Sequence, residues 1–194
     1  MATYDLLGNI AIIKTDNKTK KQKIEQAKKI LQIPSVTTDL EKATKVKGRL
    51  RTIKTKKILG KNTKQTIYKE NNCTFKFNVE TCYFSSRLSN ERKKIAKKIT
   101  NKDKVLVMFA GVGVYPIVIY KTSKPKEITG IELGKECCKY FKENLKLNKI
   151  PKNKIKIIQG DVKRKITKQS EKYSKIIMAR PNLKQTFLKQ GLYT

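Results

Sequence analysis

The residues from about 100 to 180 repeat one pattern, in which a short apolar run is followed by a turn and then by a helical stretch. The apolar runs cover residues 104–109, 127–132, 154–158 and 175–178. Each has the length and composition of a buried strand. Strands that alternate with helices predict a parallel sheet with right-handed crossovers. This half of the chain is therefore predicted to have an α/β fold.

Three of these runs end in residues that suit a nucleoside-bearing ligand. The first ends in the glycine turn 110–113 (AGVG), the second in Glu132 and the third in Gly160 and Asp161. Because parallel sheets bind ligands at the carboxyl ends of their strands, these three ends are predicted to lie along one binding edge. The alternative is that the glycines merely turn a strand into a helix.

The spacing of these residues favours one kind of cofactor. Glu132 follows Gly111 by 21 residues, which is the usual offset for a carboxylate that binds a ribose diol. Asp161 can accept a hydrogen bond from an adenine amino group. A pyrophosphate cofactor normally requires a third glycine where this chain has Pro116, so NAD and FAD are disfavoured. S-adenosylmethionine has no phosphate and fits the shorter turn.

Residues 1–95 have a different pattern, with short segments of alternating apolar and polar residues and one helical segment. The segment 4–13 predicts two strands joined by a Gly-Asn turn, and 21–31 places its apolar residues on one helical face. Further strands are predicted over 52–59, 66–68 and 74–79. The chain is thus predicted to have a small α+β domain over 1–95 and an α/β domain over 96–194.

The chain is strongly basic, with 47 Lys and Arg against 15 Asp and Glu and a net charge of +32. All but six of the basic residues are Lys, and Asn and Ile are also abundant, which indicates AT-rich coding as much as selection for a polyanionic partner. In either case the positive field attracts RNA or DNA through counterion release. The run from Lys42 to Lys57 is the best candidate for a phosphate-facing surface, with a solvated lysine face as an equal alternative.

Several function classes are disfavoured by what the sequence lacks. No stretch approaches the ~20 apolar residues of a membrane span, and the N-terminus has no signal-peptide pattern. The four cysteines have no C-x-x-C spacing and His is absent, so a zinc site is not predicted. We therefore expect a cytoplasmic protein with reduced thiols.

Longer motifs resemble those of a known family. MFAGVGVYPIVI at 108–119, the following IEL, and GDV at 160–162 are similar to the archaeal and eukaryotic tRNA guanine-37 N1-methyltransferases and the related wybutosine-pathway transferases. The resemblance extends through ENNCTFKFNVETCYFSSRLSNER at 70–92 and YDLLGNIAII at 4–13, and so covers nearly the whole chain.

The resemblance implies a Rossmann-like S-adenosylmethionine-dependent methyltransferase sheet, preceded by a small α+β domain that contacts tRNA. It also specifies which positions hold the cofactor. The predicted cofactor-binding residues are Phe109, Ala110, Gly111, Gly113, Glu132, Leu133, Gly160, Asp161 and Val162.

Tyr83, Arg87 and Glu91 are spaced by four, so they share one face if the segment is helical. Spacing alone favours an ordinary Arg–Glu pair beside a packed tyrosine. Guanine N1, however, carries a proton that a carboxylate can remove as general base, while a guanidinium stabilises the charge developing toward O6. A tyrosine ring can stack on an extruded base. The family resemblance gives Glu91 the role of base and Arg87 that of charge stabiliser.

Three features depart from the family pattern. Val107 stands where the family usually has an acid, and Ala179-Arg180-Pro181 replaces Asn-Leu-Pro, which leaves Arg180 and Pro181 as the predicted substrate-binding residues. The chain also ends at Thr194, soon after the fourth strand, whereas a full sheet of this type continues for three more. A fragment, a second polypeptide that completes the sheet, and a degenerate enzyme all remain open.

The leading hypothesis is therefore a tRNA methyltransferase acting on N1 of guanosine-37 by direct displacement. A close alternative transfers the aminocarboxypropyl group of the same cofactor, as in wybutosine synthesis. Two alternatives come from other classes: an RNA-binding remnant without catalytic activity, and a metabolite methyltransferase whose lysines reflect coding bias alone.

Overall fold

A computed structural model describes residues 4–14, 18–179 and 186–193. The chain divides into two compact units, the first formed by residues up to Lys69 together with Phe75–Ser86, and the second by Glu70–Thr74 and the residues from Arg87 onward. Among the described residues, no helix is both long enough and apolar enough to cross a membrane.

The first unit is built on a four-stranded sheet with the order β1-β2-β3-β4. A helix, α1, packs its buried residues on this sheet, and a two-stranded hairpin, β5–β6, follows. The elements are β1 Tyr4–Leu7, β2 Ile10–Ile13, α1 Lys20–Ile30, β3 Thr38–Lys42, β4 Thr55–Gly60, β5 Gln65–Glu70 and β6 Cys73–Asn78. The tip of the hairpin, Glu70–Thr74, belongs to the second unit.

Most of the elements predicted for this unit are confirmed. β1 and β2 pair as the expected antiparallel strands around Gly8, whose φ of 59° suits a tight turn. Helix α1 begins at a capping box, in which the Thr19 and Gln22 side chains each bond the other's backbone N–H. β3 was not predicted, because its sequence TDLEK carries two acids in an inner strand that pairs with β2 and β4.

The second unit contains the predicted parallel sheet, with the order β10-β7-β8-β9. All three strand pairs are parallel, and helices connect successive strands. The elements are α2 Ser89–Lys97, β7 Lys104–Met108, α3 Val114–Ser123, β8 Glu127–Glu132, α4 Lys135–Leu147, β9 Ile155–Gln159, α5 Val162–Lys165, β10 Lys175–Met178 and α6 Leu188–Leu192. The predicted α/β, Rossmann-like fold is confirmed.

Burial follows the position of each strand in this sheet. In the inner strand β7, the four side chains from Val105 to Met108 are fully buried, as expected for a strand covered on both faces. β10, which pairs with β7 on one side, is an edge strand within the described residues and has no buried side chain. The carboxyl ends of β7, β8 and β9 therefore lie side by side along one edge of the sheet.

Asp39 in β3 is an acidic residue buried inside the first unit. Its side chain is fully buried, and neither carboxylate oxygen has a hydrogen-bond partner within the described part of the chain. Desolvation favours the neutral form and raises the pKa of Asp39 from 3.8 to about 6. Ionised Asp39 therefore destabilises the folded state. Stability is lost as the pH rises from about 4 through about 6, and the loss is complete above that range.

We predict that Asp39→Asn stabilises the protein at neutral pH and has little effect near pH 4. A two-unit difference in pKa corresponds to a gain of roughly 2–3 kcal/mol in the free energy of unfolding at pH 7.5. Urea unfolding of the wild type and Asp39→Asn at pH 4 and pH 7.5 measures the difference. A gain of the same size at both pH values would contradict this account of Asp39.

Candidate active site

The glycine turn that follows β7 is the first part of the site. Three of its residues, Phe109, Gly111 and Gly113, have positive φ angles of 60°, 58° and 89°. A Cβ atom on Gly113 would lie only 2.1 Å from the Phe141 ring of α4. The chain therefore turns sharply from the end of β7 into α3, and at Gly113 both the backbone conformation and the neighbouring ring require glycine.

Glu132, at the end of β8, holds this turn in place. Its carboxylate accepts hydrogen bonds from the backbone N–H of Gly111 at 2.8 Å and of Gly134 at 2.7 Å. The partly buried Leu133 lies between Glu132 and Gly134. The acid predicted to bind a ribose thus has a structural function as well, because it joins the turn after β7 to the turn after β8.

The third strand end is connected to the same residue. The backbone N–H of Gly160, directly after β9, donates to the carbonyl oxygen of Glu132 at 2.8 Å. The Asp161 side chain caps α5 by accepting from the backbone N–H of Lys163 at 3.1 Å, and Val162 is buried in the core beneath. The three strand ends that the sequence predicted to share one edge are therefore linked by hydrogen bonds.

Glu91 reaches this edge from α2. It lies in the first turn of that helix, and its Oε1 accepts a hydrogen bond of 2.7 Å from the hydroxyl of Tyr115. Tyr115 is the second residue of α3, immediately after the glycine turn. The carboxylate predicted to be a general base is thus attached to the helix that begins at the predicted cofactor turn.

Tyr115 was not among the residues predicted for the site. Burial and the neighbouring Glu91 carboxylate both raise the pKa of the Tyr115 phenol above its ordinary range. The phenol therefore keeps its proton at any physiological pH and remains a donor to Glu91. Its partner lies 24 residues away in the sequence, so no local spacing could reveal the pair.

A buried ion pair fixes α2 behind Glu91. The Arg92 guanidinium bonds the Glu70 carboxylate through Nε at 2.6 Å, with a second contact from Nη2 to the other oxygen. Both side chains are at most 3% exposed. Asn71 adds a hydrogen bond of 3.1 Å to the carbonyl oxygen of Ser89 at the start of the helix. The hairpin tip therefore anchors the first turn of α2.

A cleft of about 410 Å³ opens beside the Glu91–Tyr115 pair. Lys98 and Lys175 line it together with Ala179, which follows β10. Its apolar lining comes from α2, from the segment directly after α2 and from β10, and consists of Ile95, Ile99, Ile176, Ile177 and Met178. The cleft thus combines a carboxylate, a phenol and two cations with apolar walls, which is typical of a small-molecule or nucleobase site.

The segment from Tyr83 to Glu91 is not one helix, so these residues do not share the face that their spacing would give them in a helix. Tyr83 lies in an irregular segment, Arg87 is exposed in the short 3-10 helix Ser86–Leu88, and only Glu91 belongs to α2. A 3-10 helix has three residues per turn, so the spacing of four does not align these side chains. Their proposed roles do not depend on that shared face.

The Tyr83 ring has a partner that the sequence did not single out. The Arg51 guanidinium lies 4.0 Å from the centroid of the ring, within cation–π range. Arg51 is also a non-glycine residue with a positive φ of 55°. The sequence feature that could have indicated Arg51 is the residue type. Arginine is rare in this lysine-rich chain, and its planar guanidinium makes contacts that lysine cannot.

The predicted substrate residues Arg180 and Pro181 lie outside the described residues. Val107, which stands where the family usually has an acid, is a fully buried side chain of β7. Ala179, the last residue described before them, lines the cleft beside Glu91.

Comparisons with known proteins agree on one family. The family described as the TRM5/TYW2 methyltransferase domain matches residues 66–194. The chain is 33% identical over 191 residues to the tRNA (guanine(37)-N(1))-methyltransferase Trm5b of Pyrococcus abyssi, covering 98% of this chain and 56% of that protein. It is 35% identical over 148 residues to a tRNA(Phe) (4-demethylwyosine(37)-C(7)) aminocarboxypropyltransferase of Methanocaldococcus jannaschii, covering 76% of this chain and 57% of the relative.

Solved structures give the same result. The protein in a complex of aTrm5 with tRNA-Leu has a TM-score of 0.87 and 30% identity, over 98% of this chain and 55% of that one. TYW2 of M. jannaschii in complex with AdoMet has a TM-score of 0.70 and 25% identity, over 98% of this chain and 70% of that one. The chain spans about half the length of the curated relatives that it matches.

We predict that Gly113→Ala destabilises the protein by roughly 2–5 kcal/mol, because the new methyl group combines an unfavourable φ with overlap of the Phe141 ring. Gly48→Ala is the matched control, since Gly48 also has a positive φ of 66° but nothing within 4 Å of a new Cβ. The control isolates the backbone cost, about 1–2 kcal/mol. Equal losses of unfolding free energy in the two variants would contradict the close contact at Gly113.

Proposed function

The chain belongs to the TRM5/TYW2 methyltransferase family, and we propose that it is an S-adenosylmethionine-dependent tRNA methyltransferase acting on N1 of guanosine-37. The observation that carries this proposal is the hydrogen bond from Tyr115 to Glu91. It holds a carboxylate beside the turn where the cofactor is expected, which is where a base for a methyl acceptor is needed. The names of the relatives in Pyrococcus abyssi and Methanocaldococcus jannaschii support the choice of substrate.

The residues at the sheet edge fit S-adenosylmethionine. Both oxygens of Glu132 already accept a backbone N–H, but a carboxylate oxygen has a further lone pair, so each can also accept a ribose hydroxyl. Asp161 lies at the neighbouring strand end, where its carboxylate can bind the adenine amino group. Phe109 and Gly111 shape the turn beneath the ligand. When bound, S-adenosylmethionine supplies an electrophilic methyl group that a nucleophile takes by direct displacement.

The chain's own residues prepare the nucleophile. Guanine N1 is protonated at neutral pH, and we assign Glu91 to accept that proton as general base, which leaves an electron pair on N1. Tyr83 stacks on the extruded base, and a guanidinium stabilises the charge that develops toward O6.

Two arginines are candidates for that guanidinium. The family resemblance assigns Arg87, whereas the structure brings Arg51 onto the ring of Tyr83. A guanidinium beside a stacking tyrosine is well placed to meet a base that the ring holds. Replacing each arginine by Lys, in the tRNA methylation assay below, identifies the one on which turnover depends.

A positively charged surface supports tRNA as the partner. Residues 45–50 of the basic run are all exposed, and Lys47 forms an isolated β-bridge with Thr52. We propose that residues 1–95 contact tRNA and that residues 96–194 hold the cofactor. Cytoplasmic localisation and a second chain that completes the sheet stay predictions from the sequence.

Aminocarboxypropyl transfer is the second candidate, because one relative carries that name at 35% identity. It uses the same cofactor and a base in the same anticodon position, so the cofactor edge does not distinguish the two reactions. The two reactions are distinguished by the group that is transferred to tRNA.

The direct test is incubation of the protein with S-adenosylmethionine and tRNA transcripts that differ at position 37, followed by nucleoside mass analysis. We expect a gain of one methyl group on transcripts with guanosine at that position and none on the others. Gain of an aminocarboxypropyl group would favour the second candidate. Binding of tRNA without any transfer would contradict both and indicate an RNA-binding remnant.

We further predict that Glu91→Gln retains binding of S-adenosylmethionine and tRNA but lowers kcat by at least about a hundredfold, since the amide cannot accept the N1 proton. Glu136→Gln, an equivalent change at an exposed position in the first turn of α4, is the matched control and should leave kcat unchanged. Unchanged turnover of Glu91→Gln would rule out the assignment of Glu91 as base.

A further inference from the structure

We propose that Tyr115 is a positioning residue that orients the Glu91 carboxylate for proton abstraction. This inference rests on the proposed function, because it presupposes that Glu91 is the base. It adds a second residue to the acid–base machinery, on a different helix from Glu91 itself.

Tyr115 and Glu91 differ in burial. The Tyr115 side chain is only 6% exposed, whereas Glu91 is an exposed residue on the first turn of α2. An exposed glutamate samples several rotamers, and ordering it costs conformational entropy. A hydrogen bond of 2.7 Å from a buried and immobile phenol selects one of those rotamers before substrate binds.

The Tyr115 phenol is itself held in place by its neighbours. The Arg92 guanidinium lies 5.8 Å from the centroid of the Tyr115 ring and is fixed by its two contacts to Glu70. The contacts therefore run without interruption from the hairpin tip through Arg92 and Tyr115 to Glu91. Each of the three supporting side chains is less than 9% exposed.

The hydrogen bond also decides which oxygen of Glu91 can accept the proton. Tyr115 occupies Oε1, so Oε2 is left to take a proton from a base in the adjoining cleft. Because the pKa of Tyr115 lies above its ordinary range, the phenol stays a donor across the working pH and does not compete for that proton. The charged groups around the pair are Arg92 and Glu70, which act on Tyr115, and Lys98 and Lys175, which line the same cleft.

A merely structural tyrosine would behave differently. Buried tyrosine hydroxyls usually need a hydrogen-bond partner, so loss of this one could affect stability alone. A positioning role, in contrast, changes kcat without changing substrate affinity.

The test compares the wild type with Tyr115→Phe in the tRNA methylation assay. We expect kcat to fall about ten- to a hundredfold, with the KM values for tRNA and S-adenosylmethionine within about twofold of the wild type. Tyr120→Phe is the matched control, since it removes the same hydroxyl from the same helix and should alter none of these quantities.

A second variant tests the same contact from the side of Glu91 and leaves the buried Tyr115 in place. Glu91→Asp retains the carboxylate but withdraws it by one methylene from the phenol, so its kcat should fall by a similar factor. Adding Tyr115→Phe to that background should then cause little further loss.

The outcomes separate the two claims. No transfer by the wild type would overturn the proposed function and the role of Tyr115 with it. Transfer by the wild type, together with an unchanged kcat in Tyr115→Phe, would overturn the positioning role alone. Full additivity of the Glu91→Asp and Tyr115→Phe effects would also contradict it.

Discussion

The arrangement of the site depends on one carboxylate, that of Glu132. It accepts the backbone N–H groups of Gly111 and Gly134, while its own carbonyl oxygen accepts that of Gly160. Hydrogen bonds from backbone N–H groups to a carboxylate are charge-assisted and stronger than neutral ones. One residue therefore fixes the turns after three neighbouring strands, which form the proposed cofactor-binding edge.

A second set of interactions holds Glu91 and Tyr115, the proposed acid–base residues, beside this edge. The buried pair of Glu70 and Arg92 fixes the first turn of α2, and the Tyr115 hydroxyl then holds Glu91 beside the glycine turn. A buried ion pair contributes little net stability, but removing one partner is costly because the other charge remains buried. We infer that the Glu70–Arg92 pair fixes the position of α2, and that the position of Glu91 depends on it.

The parallel sheet could be predicted from the sequence because its strands are buried on both faces and read as apolar runs. The Gly111-to-Glu132 spacing likewise predicted that the ends of β7 and β8 adjoin, and the hydrogen bond between these two residues confirms it. The inner strand β3 was missed because it contains two acids, the buried Asp39 and the partly buried Glu41, whose positions depend on neighbouring strands and not on local pattern. The Tyr115–Glu91 contact joins residues 24 apart in the sequence. No periodicity encodes such a long-range contact.

The central claim is that the edge organised by Glu132 binds the cofactor of a methyltransferase. Calorimetric titration of the protein with S-adenosylhomocysteine, the demethylated cofactor, tests this most directly. We predict saturable binding at one site per chain. Glu132→Gln should weaken that binding about ten- to a hundredfold, because its amide replaces one charged acceptor. The absence of saturable binding to the wild type, or equal affinity in Glu132→Gln, would contradict the account.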